Sequence, residues 1–297
     1  MVSAPGRLGA WTVIRRFLQR FRGGPPTALP GYTTLGKVRE GSMSYLFKAR
    51  DDDTGQVVAV KVQKPEARKP VDKLEAIYGD FTEGQITAAF DHSNVVKCFD
   101  HGDLGGSHFL VLEYLEGVTF ASLMGGDAKR LDGRRIPMLL QAAQGLAHVH
   151  SRRFTHNDVC LKNVFVTGND QVKLIDFGLA TPLMNAPALR SRMGTVEFLA
   201  PELLKREPCD HRADVFAWGV VAYEVLCGHW PFESPEQHQT LNKILNVRPV
   251  PLDRRVATIP AEVSNLVLRC LEKEPPKRLA SINTAVGVLE RHAAVGV

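Results

Sequence analysis

Short runs of alternating or continuous apolar residues dominate the part of the chain that follows residue 31. Five such runs, rich in β-branched and aromatic residues, cover residues 32–39, 44–50, 56–63, 95–100 and 108–113. Gly41, Gly55 and the glycine-containing stretch 102–106 lie between runs, where chain reversals are expected. Runs of this length bounded by turn residues are typical of antiparallel strands. The pattern therefore predicts a five-stranded antiparallel sheet.

The second half of the chain shows mainly helical periodicity. Residues 136–150 carry apolar side chains at the spacing of a helix that buries one face. Residues 212–227 are apolar on nearly all sides, which predicts a buried central helix. Further helices are expected at residues 78–90, 236–245, 261–271 and up to Arg291. The predicted fold class is α+β, with a small strand-rich part that includes one helix and a larger, mainly helical part.

The first 30 residues differ in composition from the rest. They contain five arginines and no acidic residue, so the remainder has 37 − 5 = 32 basic against 32 acidic groups and is formally neutral. The net charge of +5 is thus no argument for nucleic-acid binding. Residues 10–22 predict a basic amphipathic helix, which attaches to an anionic membrane surface or docks onto another protein. The alternatives are a helix packed on its own domain and an extension without fixed contacts; the glycines and prolines of residues 23–26 begin a linker.

The cysteine pattern indicates the cellular compartment. The chain has five cysteines, an odd number, widely spaced and without a Cys-x-x-Cys pair, which argues against a disulfide framework and a zinc site. No apolar run approaches the ~20 residues needed to span a bilayer. The N-terminus also lacks the apolar core of a secretory signal. A cytoplasmic protein is expected, with peripheral membrane contact through residues 10–22 as an option.

Three oxygen-bearing side chains follow one another at suggestive spacing. Asp158 lies in the sequence His156-Asn157-Asp158, Asn163 follows five positions later, and Asp176 comes directly after an apolar run. The runs 164–166 and 172–175 predict a hairpin that positions Asn163 and Asp176 at opposite ends of neighbouring strands. Asp158 can accept a proton from a hydroxyl, and the other two offer the hard oxygens that Mg²⁺ prefers. The stretch predicts a site for a metal-bound phosphate.

Four motifs in a fixed order carry a family resemblance. Val58-Ala59-Val60-Lys61 ends the third predicted strand; the His-x-Asp stretch, Asp176-Phe177-Gly178 and Ala200-Pro201-Glu202 follow it. Together they resemble the eukaryotic-type protein kinase family, of the serine/threonine kinase-like kind. The resemblance implies a bilobal kinase fold over residues 31–292, with a small lobe at 31–113 and a large lobe at 117–292. Residues 1–30 form the arm and linker outside it.

The resemblance also implies roles for individual residues. Lys61 would hold the α- and β-phosphates of ATP, Glu83 would orient Lys61, and Asn163 and Asp176 would bind Mg²⁺. Asp158 would position and deprotonate the acceptor hydroxyl. The implied nucleotide contacts are Gly41, Leu46, Ala59, Lys61, Glu113, Leu115 and Phe165. Packing or architectural roles are implied for His156, Phe177 and the pair Glu202–Arg278.

The sequence differs from the family pattern in three respects. The phosphate flap keeps only Gly41, because Arg39 and Ser44 replace the other two glycines. Asn157 replaces the arginine that receives an activation-loop phosphate, so phosphorylation of Thr181, Ser191 or Thr195 is not expected to be obligatory.

The third departure concerns the catalytic cation. Cys160 occupies the place of the catalytic-loop lysine, and Lys162 offers a cation two residues later, as in receptor tyrosine kinases. A solvent-exposed lysine is the alternative. Gly194-Thr195 favours serine/threonine over tyrosine specificity, because in that class the threonine hydroxyl contacts the catalytic aspartate.

Three functions compete on this basis. The first is an ATP- and Mg²⁺-dependent kinase that transfers the γ-phosphate to serine or threonine hydroxyls of protein substrates. The second is a pseudokinase, a nucleotide-binding or scaffold module with little catalysis, because of the altered flap and Cys160. The third is a small-molecule phosphotransferase, which would lack the Asp-Phe-Gly motif and the Gly-Thr to Ala-Pro-Glu segment. The sequence identifies neither the protein substrate nor the oligomeric state.

Overall fold

The computed structural model describes residues 29–41, 43–64, 81–104, 106–183 and 194–293. The chain divides into two compact units. The strand-rich unit comprises the described residues up to Ala88 together with Lys97–Leu115, and the helical unit comprises Ala89–Val96 and the described residues from Glu116 onward. The arm helix predicted at residues 10–22 and most of its linker lie outside the described residues.

The strand-rich unit is a five-stranded antiparallel sheet with strand order β1-β2-β3-β5-β4. Its strands are β1 (Tyr32–Glu40), β2 (Ser44–Asp51), β3 (Val57–Gln63), β4 (Cys98–Leu104) and β5 (Ser107–Glu113). Alternate side chains on one face, among them Phe47, Val60 and Val111, form a buried core. The predicted antiparallel sheet is therefore confirmed, with boundaries within one or two residues for β1, β2 and β3.

Helix α1 (Glu83–Ala88) belongs to the same unit and lies against β4. The packing is close, since a Cβ atom on Gly84 would lie 2.5 Å from the Cβ atom of His101. Glycine weakens a helix, but at this position its small size is needed for close packing. The described helix is shorter than the predicted 78–90; residues 65–80 lie outside the described residues.

The prediction for the fourth strand is wrong at both ends. It begins at Cys98 rather than residue 95, and it continues through the stretch 102–104 that was expected to turn. Val95 and Val96 instead pair with Leu174 in the helical unit, where the Val96 N–H donates to the Leu174 carbonyl at 2.9 Å. An apolar run does not reveal which sheet it joins, because both environments bury the same side chains.

The helical unit contains seven α-helices among its described residues. They are α2 (Phe120–Gly126), α3 (Arg135–Ser151), α4 (Pro201–Lys205), α5 (Arg212–Cys227), α6 (Gln237–Asn246), α7 (Ala261–Cys270) and α8 (Asn283–His292). The predictions for α3 and α5 to α8 are confirmed within a few residues. Helix α5 is buried along almost its whole length, with Trp218 and Tyr223 at 0–1% exposure.

Two small sheets complete the helical unit. The predicted hairpin is present as β8 (Val164–Thr167) and β9 (Val172–Leu174), and β6 (Gly117–Thr119) adds a third strand beside β8. The second sheet pairs β7 (Phe154–Thr155) with β10 (Thr181–Pro182). The polar stretch 181–193, with Pro182 and Pro187, favours a loop in the sequence, which is wrong for Thr181 and Pro182 because they form β10; residues 184–193 lie outside the described part.

All five cysteines are free thiols, as their spacing predicts. None of the helices within the described residues has the length and apolar character required to cross a membrane.

Candidate active site

Lys61 and Glu83 form an ion pair within the strand-rich unit. Lys61 lies on β3 and Glu83 begins α1, and the Lys61 Nζ atom donates to Glu83 Oε1 at 2.6 Å. Both side chains are largely covered, at 16% and 22% exposure. The pair therefore holds the lysine ammonium at a defined position on the sheet, where it can neutralise a phosphate.

The turn between β1 and β2 is tight although it has a single glycine. The Gly41 N–H donates to the Ser44 carbonyl at 2.9 Å, and Glu40 is paired with Tyr45 across the hairpin. Lys64 adds an ion pair to Glu40 at 2.9 Å and lies 4.7 Å from the centre of the Tyr45 ring. Backbone pairing and the Lys64 side chain together hold this turn.

The remaining predicted nucleotide contacts of the strand-rich unit lie on its central strands. Leu46 on β2 is paired with Lys61, and the buried Ala59 is paired with Leu112. Glu113 ends β5, where its N–H donates to the Lys97 carbonyl at 2.9 Å, and Leu115 is the last residue of the unit. Their contact with adenine stays a prediction.

Asp158 is the centre of the helical unit's site. Its Oδ2 atom accepts from Asn163 Nδ2 at 2.8 Å, and its Oδ1 atom accepts from the Thr195 N–H at 3.0 Å, with the Thr195 hydroxyl 3.4 Å away. Gly194 has φ 110°, and a Cβ atom there would approach Asp158 Oδ1 to 3.2 Å. The carboxylate is thus fixed from both sides, and the glycine before Thr195 leaves room for it.

A buried aspartate of α5 supports the loop that carries Asp158. Asp214 accepts from the backbone N–H groups of His156 and Asn157, both at 2.8 Å, and from His150 Nε2 at 2.9 Å. Burial by itself raises the pKa of Asp214, but the hydrogen bond and charge of His150 outweigh it and hold that pKa below its usual value. An ionised carboxylate therefore anchors the loop at neutral pH. A sequence signal exists, since Asp214 is an acid beside the long apolar run of α5.

Asp176 and Asn163 lie on adjacent parts of the β8–β9 hairpin. Val164 is paired with Leu174, and the Ile175 N–H donates to the Asn163 carbonyl at 3.0 Å. Asp176 has the left-handed φ of 63°, and its Oδ1 atom accepts from the Gly178 N–H at 3.3 Å. A non-glycine residue in this conformation is uncommon and is enriched at functional positions.

Phe177 packs within the helical unit, as predicted for a structural residue. Its ring is 1% exposed and lies 4.7 Å from the ring of His156 and 4.9 Å from that of Phe90. His156 is fully buried. These ring contacts fix the residue next to Asp176 in the apolar interior.

The oxygen donors fit Mg²⁺ better than a transition metal. In the described residues no group of three or more His, Cys, Asp or Glu side chains is placed to hold a metal ion. Asn163 uses its Nδ2 group on the Asp158 carbonyl and carboxylate, which directs its carbonyl Oδ1 as the remaining ligand atom. One carboxylate and one amide oxygen are what Mg²⁺ takes when phosphates and waters supply its other ligands.

The atypical residues of the loop occupy different environments. Cys160 is 2% exposed, and burial together with the charge of Asp158 raises the pKa of its thiol against the opposing hydrogen bond to Thr195. Lys162 is exposed, and its catalytic role stays a prediction. Phe165, a predicted nucleotide contact, is half-buried on β8 opposite Lys173.

Beside Asp158 lies a small pocket that the sequence did not indicate. Its lining includes Thr195, Phe198, Leu199, Leu203 and Ala217. The residues that the sequence did indicate converge in two groups. Lys61 and Glu83 meet in the strand-rich unit, and Asp158, Asn163 and Asp176 share one neighbourhood of the helical unit.

Comparisons with known proteins agree with this arrangement. A family model described as protein kinase domain matches residues 32–288. Serine/threonine-protein kinase pkn2 of Myxococcus xanthus is 30% identical over 87% of this chain and 32% of its own length. Serine/threonine-protein kinase PknB of Mycolicibacterium smegmatis is 33% identical over 80% of this chain and 39% of its own length. PknB of Mycobacterium tuberculosis is 30% identical over 85% of this chain and 41% of its own length. The chain therefore spans less than half the length of these curated relatives.

Proposed function

This chain belongs to the protein kinase family, and on that premise we propose that it is an ATP- and Mg²⁺-dependent serine/threonine protein kinase. The observation that carries the proposal is the environment of Asp158. Its two carboxylate oxygens accept from Asn163 and from the backbone of Thr195, so the group is held for an incoming hydroxyl.

Asp158 acts as the proton acceptor in the proposed reaction. It orients the serine or threonine hydroxyl of the substrate and takes its proton as the oxygen attacks the γ-phosphorus of ATP. The bond between the γ-phosphorus and the β,γ-bridging oxygen breaks, and ADP leaves. Phosphoryl transfer depends on positioning and charge neutralisation more than on covalent catalysis. The hydrogen bonds to Asn163 and Thr195 supply the positioning, because they fix the carboxylate before the substrate arrives.

Charge neutralisation is assigned to the remaining polar groups. Lys61, held by Glu83, would contact the α- and β-phosphates, and Asn163 with Asp176 would hold Mg²⁺. Mg²⁺, when bound, neutralises phosphate charge. Lys162 is proposed as the cation that replaces the lysine absent at Cys160.

The Thr195 contact supports specificity for serine and threonine. Its hydroxyl lies 3.4 Å from Asp158 Oδ1, the arrangement expected of that class. The relatives are named serine/threonine-protein kinases, which points in the same direction.

A phosphotransfer assay with two matched variants tests the proposal. The full chain is incubated with labelled ATP, Mg²⁺ and a protein mixture rich in serine and threonine, and the labelled amino acid is identified. Asp158→Asn should lower incorporation by roughly 10² to 10⁴-fold, the usual worth of a general base. Asp132→Asn changes an exposed aspartate paired with Arg135 and should have no effect. Equal incorporation by wild type and Asp158→Asn would refute the proposal, and no incorporation at all would favour the pseudokinase.

The partners and location of the protein are proposed as follows. Its substrates are cytoplasmic proteins, and residues 10–22 attach it peripherally to anionic membrane or to another protein. Deleting residues 10–22 should abolish sedimentation with anionic liposomes at low salt. Sedimentation that survives the deletion, or that does not occur with the full chain, would remove the membrane part of the proposal.

A further inference from the structure

Three neutral side chains meet where the catalytic loop adjoins the segment that follows Asp176-Phe177-Gly178. The Asn157 Nδ2 group donates to the Leu179 carbonyl at 2.8 Å and to the Thr181 hydroxyl oxygen at 2.9 Å. The Thr155 and Thr181 hydroxyls lie 3.0 Å apart, and the Thr155 hydroxyl donates to the Thr181 carbonyl at 3.3 Å. Asn157, Thr155 and Thr181 are called the amide–hydroxyl cluster below.

One assignment of the hydrogens satisfies every contact of the cluster. A carbonyl oxygen only accepts, so the Leu179 carbonyl requires the NH₂ end of the Asn157 amide. Thr181 accepts from this amide, donates its own hydrogen to Thr155, and Thr155 donates to the Thr181 carbonyl. Both amide hydrogens and both hydroxyl hydrogens are therefore used, and the two threonines are only 6% and 4% exposed.

The backbone fixes the direction of the amide. Asn157 has the left-handed φ of 63°, and its N–H is bound by Asp214 at 2.8 Å. Asparagine tolerates this conformation better than most residues. On the other side, Thr181 is paired with Thr155 between β10 and β7, and the Leu183 N–H donates to the Arg153 carbonyl at 2.6 Å. The cluster thus joins a rigid loop to residues 179–183.

We infer that Asn157 is a positioning residue, which fastens residues 179–183 to the loop of Asp158 through uncharged hydrogen bonds. This inference rests on the proposed kinase function and deepens it. In the family pattern an arginine at this position binds a phosphate of the following loop. Here the neutral amide of Asn157 binds Leu179 and Thr181 instead, so residues 179–183 are held without phosphorylation. Thr181, named above as a phosphorylation candidate, has its hydroxyl buried in the cluster and is not a phosphate acceptor.

A pair of variants at Thr181 separates hydrogen bonding from packing. Thr181→Ser keeps the hydroxyl, whereas Thr181→Val keeps the branched shape and removes it. Asn157→Ala removes the amide, and Asn246→Ala removes an exposed amide that bonds Asn242 on α6 and serves as the control. Each protein is treated with phosphatase, and kcat and the KM for ATP are measured together with hydrogen exchange of the peptide covering residues 179–183.

The expected result is a loss confined to kcat. Asn157→Ala should lower kcat about tenfold, and Thr181→Val about fivefold, the order expected when one or two buried hydrogen bonds are removed. The KM for ATP should change less than about twofold, because the Lys61–Glu83 pair is untouched. Thr181→Ser and Asn246→Ala should behave as wild type. Exchange at residues 179–183 should rise in Asn157→Ala and Thr181→Val alone.

Several outcomes would overturn the inference. They are wild-type activity that disappears on phosphatase treatment, Thr181 found phosphorylated by mass spectrometry, and Thr181→Val indistinguishable from Thr181→Ser in exchange. The exchange measurement is repeated in the Asp158→Asn background, which needs no activity. If the wild type proves inactive but the exchange pattern holds, the proposed function fails while the amide–hydroxyl cluster stands.

Discussion

The pair Glu202–Arg278 offers a demanding test of how the helical unit is held together. The guanidinium binds both carboxylate oxygens of Glu202 at 2.6 Å, and the two side chains are 2% and 0% exposed. Arg278 also donates to the backbone carbonyls of Glu272, Arg212 and Lys273, at 2.7, 3.1 and 3.1 Å. All five guanidinium N–H groups are thus engaged.

Replacing Arg278 with methionine should be severe. Methionine fills a similar volume, but it leaves an ionised Glu202 and three carbonyls in the interior without their donor. Breaking a buried pair in this way costs about 3 to 5 kcal/mol. The double variant Glu202→Gln with Arg278→Met removes both charges and should cost less than Arg278→Met alone. Urea unfolding followed by the fluorescence of the buried Trp218 on α5 reports the free energy of unfolding of this unit.

A matched exposed pair provides the control. Arg291 is paired with Glu262 at the surface, with 57% and 48% of the side chains exposed, so Arg291→Met should cost far less than Arg278→Met. Equal losses for Arg278→Met and Arg291→Met would refute the reasoning from burial. A double variant whose cost equals the sum of the two single substitutions would refute the coupling between Glu202 and Arg278.

Two further predictions concern the stability of the helical unit. Burial raises the pKa of Glu224 to about 7 from 4.5, so the folded state keeps a proton that the unfolded state loses, and stability falls as pH rises between these values. Glu224→Gln should flatten that fall in urea unfolding and raise the free energy of unfolding at pH 8, by less than the full pKa shift implies because solvent screens the partly exposed carboxyl; an unchanged pH profile would contradict it. Gly145→Ala would place a Cβ atom 2.5 Å from the Asn94 carbonyl oxygen and should cost about 1–3 kcal/mol. Gly287→Ala meets nothing within 4 Å and should add about 0.5–1 kcal/mol, so losses of the same size at both glycines would exclude the steric explanation.

Local periodicity was sufficient for most of the secondary structure. The prediction for helix α5 matches its observed bounds, because a run that is apolar all round has to be buried and α-helical spacing is continuous through it. The prediction for the fourth strand was wrong for a related reason. Val95 and Val96 are apolar, but their partner Leu174 lies far away in the sequence, and no local pattern identifies it.

The candidate site likewise combines residues that local spacing predicts with contacts between residues distant in the sequence. Asp158, Asn163 and Asp176 were found from the chain because their chemistry requires oxygen ligands at short, characteristic spacings. The support of Asp158 by Thr195, 37 positions away, was expected only through the family resemblance. The anchoring of the loop by Asp214 was not expected at all, since it joins residues 57 and 58 positions apart.

The sequence by itself determined which residues carry the chemistry and which segments become strands and helices, because both depend on residue type and short spacing. Only the tertiary structure decided what Asn157 does. In the sequence, Asn157 stands where the family pattern has an arginine, which predicts a weaker attachment of the following loop. In the fold, a left-handed backbone and the bond to Asp214 aim its amide at Leu179 and Thr181. The direction of a side chain depends on the backbone conformation and on distant partners, and neither is encoded in residue type alone.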